Sequence, residues 1–172
     1  MCAICGLLRP GVERERVERV ERANAVMVHR GPDDGGTWQG DGVCLGARRL
    51  AIIDVSVAGH QPMVTADHRY VLSYNGEVYN FRELRTELEA LGYRFRSASD
   101  SEVVLNALAA WGAAALQRFN GMFALALWDP LTRNLRAGLA VILGAALCAG
   151  AVEVGARAAG LPHDRLAKVR VN

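Results

Sequence analysis

The stretch GMFALALWD, Gly121 to Asp129, is apolar at both parities. Phe123, Leu125 and Leu127 fall on one side of an extended chain, and Met122, Ala124, Ala126 and Trp128 fall on the other. Side chains alternate along a strand, so this segment offers no face to water and has to lie inside a sheet covered on both sides. The rest of the chain must supply those covers.

Two kinds of segment are available for that purpose. Cys2 to Leu8 is a short apolar run ended by Arg-Pro-Gly and reads as a buried strand, and Thr37 to Asp54 reads as two strands joined by an Asp-Gly turn at Asp41 and Gly42. Tyr70 to Asn75 alternates, then meets Asn75-Gly76, a strong local hairpin signal, so a turn is expected there. Helical spacing appears in Val12 to Val28 through Val17, Val20, Ala23 and Met27, with Glu15/Arg19 and Glu18/Arg22 as i,i+4 pairs on the wet side. Gly, Pro and Asp make His29 to Gly36 a loop. Asn80 with Glu83, and Ser99 with Glu102, are capping-box signatures. They precede apolar stripes at Phe81, Leu84, Leu88 and Leu91, and at Val104, Leu108 and Trp111. Strands with turns, plus helices in consecutive groups, predict an α+β fold of antiparallel sheets covered by helices.

A chain of 172 residues with a net charge of +2 has room for one sizeable core, and it shows no basic run interleaved with aromatics. Nucleic acid is therefore not an expected partner. Four scattered cysteines do not make a disulfide framework, and no charged n-region precedes an apolar core at the start, so a reducing cytoplasm is the expected location.

The opening MCAIC puts Cys2 behind the initiator methionine and Cys5 three positions on. A redox or zinc pair, a buried strand, and a nucleophile exposed by removal of Met1 are the competing readings. On a strand, a spacing of three points the two thiols to opposite faces. They cannot converge on one metal, and no histidine stands at a paired ligand spacing, so no metal site is expected. Taken alone, Arg49 reads as a strand-end cation and Asp100 as a first-turn carboxylate complementing a helix dipole.

Seven motifs in order decide more than any of them alone: MCAICG, HRGPDDGG, RRLAIID, QPM, YNGEVYNFRELR, SDSEVVL and NGMFALALWD. Together they resemble the glutamine-hydrolysing N-terminal domain of class II amidotransferases, above all that of asparagine synthetases. The resemblance runs from Cys2 to about Asp129. It implies an N-terminal-nucleophile hydrolase fold, a four-layer αββα sandwich, apparently truncated here. It implies that Met1 is removed and that Cys2 attacks a glutamine amide, its own α-amine taking the proton. Asn75 and Gly76 would stabilise the oxyanion, Arg49 would bind the substrate carboxylate, Asp100 its ammonium, and Glu77 would help line the pocket. L-glutamine is the implied ligand. A synthetase domain or a second copy is the implied partner. No cofactor is expected within this fragment, because the family's ATP and magnesium site belongs to a synthetase domain whose Ser-Gly-Gly-x-Asp-Ser loop is absent from the sequence.

Beyond Asp129 the family pattern is lost: the further strand, the Arg-Asp segment, the Lys-Pro-Leu-Tyr-Tyr-like stretch and the additional sheet that the family would continue with are read as absent. Residues 1–135 are read as an incomplete type 2 glutamine amidotransferase domain. Residues 136–172 are read as a divergent Ala/Gly-rich tail, with a frameshift or a fusion favoured over a real divergent ending. Ala137 to Val152 is sixteen residues without a charge, which leaves a buried or membrane-active helix open. The alternative to an enzyme is an inactive remnant that acts at most as an interaction module.

Overall fold

The computed structural model describes residues 2–8, 13–143 and 146–154. Strand β1 (Ala3–Leu8) leads to helix α1 (Glu13–Val26), then β2 (Asp34–Gly40) and β3 (Val43–Arg49), joined by the expected turn at Asp41 and Gly42. β1 and β2 both pair antiparallel with β3, giving a sheet of order β1-β3-β2. The buried positions of α1 are Arg16, Val20 and Asn24, spaced by four, so the stripe that meets this sheet is narrower and more polar than hydropathy indicates. Arg19 pairs with Glu15 as expected, whereas Glu18 pairs with Arg14 rather than Arg22.

The second sheet has the order β4-β5-β6-β7-β8. Its strands are β4 (Met63–Val64), β5 (Val71–Val78), β6 (Gly121–Asp129), β7 (Asn134–Leu143) and β8 (Ala146–Val154). Helices α2 (Phe81–Ala90) and α3 (Asp100–Trp111) lie between β5 and β6 in the chain and cover one face of this sheet. On that side Leu72, Tyr74, Val78, Leu84, Leu88, Val104, Leu105, Phe123, Leu125 and Leu127 form the main core. The other face meets the first sheet through Val43, Leu45, Val71 and Trp128. The order of layers is α1, three strands, five strands, then α2 and α3, which is the αββα sandwich expected from the resemblance.

Four expectations need correction. Asn75 and Gly76 make no turn, because they lie inside β5 and pair with Ala124 and Phe123 of β6. The glycine answers a different demand: a Cβ at Gly76 would stand 2.4 Å from the Met122 carbonyl oxygen and 2.5 Å from the Phe123 Cβ. Asn80 precedes α2 but its side chain does not cap the helix; it donates to the Arg118 carbonyl and accepts from the Asn120 N–H. β6 is fully covered only on its Phe123 face, since Met122 on the other face is 44 % exposed. Finally, the charge-free stretch forms strands. β7 pairs with β6, and β8 pairs with β7, so the further strand beyond Asp129 is present. No helix among the described residues is long and apolar enough to cross a membrane. Met1 and residues 155–172 of the tail lie outside the described residues.

Candidate active site

The site begins where β1 starts and β3 ends. The register that sets Ala3 against Arg48 brings Cys2, one residue earlier, alongside Arg49 and Leu50. The Leu50 N–H donates to the Cys2 Sγ at 3.4 Å. Cys5 faces the opposite way, its Sγ 3.8 Å from the Val20 carbonyl of α1, and burial pushes that thiol's pKa up. The two cysteines therefore share no ligand, and Cys2 alone reaches the cleft. Among the described residues no group of three or more His, Cys, Asp or Glu side chains stands close enough together to hold a metal ion.

β5 contributes an open edge. β4 pairs with Leu72 and Val71 only, so from Ser73 onward β5 has no strand partner on that side among the described residues. Alternate N–H groups of a strand point to the same edge. The Tyr74 N–H donates to Gln61 Oε1 at 2.7 Å, and the Val78 N–H donates to Asp100 Oδ2 at 3.1 Å. By the same alternation the N–H of Gly76, midway between them, is directed to this edge. Asn75 and Glu77 point to the opposite face from Tyr74, toward the sheet that carries Cys2.

Asp100 comes from the first turn of α3. The helix starts there because Ser99 Oγ accepts the Glu102 N–H, as the capping signature predicts. Its return half differs: the Glu102 carboxylate accepts the N–H groups of Arg96 and Ser97 and the Ser97 hydroxyl. Asp100 is only 5 % exposed, and burial pushes its pKa up, opposed by donors from Val78, Tyr74 and Ser101, while the nearby Glu77 adds to the rise. A buried carboxylate partly robbed of water gains most from a cation placed beside it.

Arg49 closes the other side. Its guanidinium donates to the Ser56 carbonyl at 2.9 Å and to the Asp54 carbonyl, folding residues 50–59 around itself. Gly59 is required for this packing, since a Cβ there would stand 2.2 Å from Arg49 Nη2. Two of the five guanidinium donors are engaged in this way. The Asp54 carboxylate then bridges the cleft walls, accepting the Ser56 N–H at 2.8 Å and the Ala98 N–H at 2.7 Å.

The result is one cleft of about 230 Å³, whose lining includes Cys2, Arg49, Asn75, Gly76, Glu77 and Asp100. All six residues singled out from the sequence meet there. Sequence reasoning missed Gln61, Tyr74, Asp54 and Ser101, which also line it. Gln61 stood in one of the seven motifs without a role, and Tyr74 read as an ordinary strand residue.

The profile of the glutamine amidotransferase domain family matches residues 1–138. This chain belongs to that family. A putative glutamine-hydrolysing asparagine synthetase of Mycobacterium tuberculosis is 46 % identical over 126 residues, covering 67 % of this chain and 19 % of its own length. Asparagine synthetase 1 of Bacillus subtilis is 39 % identical over 132 residues, covering 75 % of this chain and 21 % of its own. Asparagine synthetase B of Escherichia coli is also 39 % identical, with 23 % of its length covered. The amidotransferase chain thus spans about a fifth of the length of these relatives. The fold is also that of glutamine phosphoribosylpyrophosphate amidotransferase from B. subtilis, with a TM-score of 0.61 at 16 % identity, over 86 % of this chain and 41 % of that one.

Proposed function

We propose that the amidotransferase chain hydrolyses L-glutamine to glutamate and ammonia in this cleft, with Cys2 as nucleophile. The observation that carries the reading is the convergence of one thiol, an unpaired strand edge, a buried cation and a buried anion on a single cavity.

In this mechanism, removal of Met1 frees the α-amine of Cys2. That amine, carried on the same residue as the thiol, can take the thiol proton without a histidine. The thiolate attacks the carboxamide carbon, and the oxyanion that forms is met by the Asn75 side-chain amide and the Gly76 N–H. Loss of one such donor costs about 2.7 to 4 kcal/mol. The ammonium of Cys2 returns its proton to the leaving nitrogen, ammonia departs, and water then hydrolyses the thioester to glutamate. Arg49 binds the α-carboxylate and Asp100 the α-ammonium. Glu77 lines the pocket. The chemistry needs a reduced thiol, which fits a cytoplasmic setting. In an asparagine synthetase-like protein the ammonia would pass to an acceptor bound by a synthetase region that this chain does not span.

The test is labelling of the folded chain with a diazo-ketone analogue of glutamine, followed by intact-mass and peptide analysis. An adduct at Cys2 on a chain lacking Met1 is expected. Cys2→Ala should abolish both the adduct and glutaminase activity, whereas Cys5→Ala should keep both. A folded wild-type chain that takes no label would instead be the inactive remnant.

A further inference from the structure

Tyr74 is the core residue that breaks the apolar pattern of β5 from within. The residue belongs to the main hydrophobic core and is 1 % exposed, yet it lines the cleft and its hydroxyl donates to Asp100 Oδ2 at 3.0 Å. The same oxygen accepts the Val78 N–H. Two donors from one strand therefore fix the position of a carboxylate that belongs to a helix. The backbone beneath Tyr74 is fixed as well. Gln61, 2 % exposed, accepts the Tyr74 N–H and turns its amide nitrogen toward Ser101 Oγ at 3.5 Å, so the residue after Asp100 is tied to the residue before Asn75.

We infer that Tyr74 is a positioning residue that aims the Asp100 carboxylate at the ammonium end of the substrate, and so governs the preference for an amide that carries an α-ammonium. This rests on the glutaminase reading above. A phenol suits the task. Burial first, and then the charge of Asp100, push the Tyr74 pKa far up, so its O–H is a donor at every working pH. Donation to the ionised form of Asp100 opposes the effect of burial on that carboxyl. The other groups facing the pair are Glu77 from β5, which disfavours a second negative charge, Cys2 from the start of β1, Asp54 from the 50–59 loop and Arg49 from β3. None of these four donates to Oδ2, whose donors are the Tyr74 hydroxyl and the Val78 N–H.

The experiment compares kcat/KM for L-glutamine with that for glutaramate, which keeps the carboxamide and the carboxylate but has hydrogen in place of the ammonium. Tyr74→Phe removes one oxygen atom and leaves the ring in the core. The preference for glutamine over glutaramate should fall roughly tenfold, through KM rather than kcat, with glutaramate turnover unchanged. The acid limb of kcat/KM for glutamine should move to higher pH, because Asp100 then protonates sooner. If the Tyr74→Phe variant does not melt cooperatively, Tyr74→Met provides the same loss of the hydroxyl with a side chain that adapts to the gap. An equal fall on both substrates, or no fall, overturns the inference. Asp100→Asn separates the two levels. If it collapses the preference while Tyr74→Phe does not, only the inference fails. If it leaves the preference intact, or if folded wild-type protein neither turns over nor labels, the glutaminase reading fails and takes the inference with it.

Discussion

Two loops flank the cleft, residues 50–59 and residues 93–99, and each is folded around a buried ion of opposite sign. Arg49, 7 % exposed, gathers carbonyl oxygens from Asp54 and Ser56. Glu102, 4 % exposed, gathers N–H groups from Arg96 and Ser97. An irregular segment has unpaired groups of both kinds, and a buried ion satisfies only those of complementary polarity. The difference lies in what remains after the loop is tied. Arg49 also lines the cavity, whereas Glu102 is not part of its lining. One ion serves both loop and site, and the other serves the loop alone.

The largest expected effect tests that asymmetry from the Arg49 side. Arg49→Ala should lower kcat/KM for glutamine by roughly 2 to 5 kcal/mol and should also reduce unfolding stability by about 1 to 3 kcal/mol, because two loop carbonyls lose their donor. Steady-state kinetics and a denaturant titration on the same preparation check both. Loss of activity at full stability would strip Arg49 of its part in the loop, and full activity would return it to a simple strand-end cation. Glu102→Ala is the converse. It should cost about 3 kcal/mol in stability, since several donors lose one shared acceptor, while kcat/KM measured well below the melting temperature changes much less than for Arg49→Ala. A loss of kcat/KM as large as that of Arg49→Ala, in protein shown to be folded, would erase the distinction.

A third, smaller effect probes the link between the two loops. Hydrogen bonds from the Ser56 side chain, then from the Ala98 and Ser56 N–H groups, hold the Asp54 pKa below its usual 3.8. A depressed carboxyl contributes stability that is fully present above its unfolded value and is lost as pH falls through the folded one. Wild type should therefore exceed Asp54→Asn in melting temperature above about pH 4, and the gap should close at lower pH. A gap independent of pH would mean that the carboxylate charge contributes nothing. The smallest effect belongs to Arg48, which faces away from the cleft and donates to the Gly31 carbonyl at 3.0 Å. Arg48→Ala should leave kcat/KM within about twofold and cost about 1 kcal/mol or less.

What the sequence could and could not announce follows the range of the interactions. The capping of α3 by Ser99 is a contact across three residues and was legible. The other half of that signature was not, because the Glu102 carboxylate had upstream N–H groups to choose from and took them. Asn75-Gly76 misled for the same reason: a dipeptide suited to a turn says nothing about the β6 backbone, 46 residues away at Met122, that presses against the glycine. Residues 137–152 lack charge, and small residues at both parities hide the alternation that marks a strand. Arg49 and Asp100 had ordinary local readings and gained a role only from the ordered set of motifs. Gln61 and Tyr74 act on groups 13 to 40 positions away through single hydrogen bonds, and periodicity is blind to such contacts.

The two-residue length of β4 has a consequence for how the molecule meets its own kind. An unpaired strand edge is a template on which a second chain can build, and longer runs of free N–H groups recruit more strongly. Here the Gln61 amide and the Asp100 carboxylate already hold the N–H groups of Tyr74 and Val78. An incoming strand would have to displace both side chains to gain a register longer than one residue. The groups that shape the cleft thus also work against self-association. A variant that loosens either of them is expected to aggregate before it unfolds, a risk that light scattering during purification would reveal.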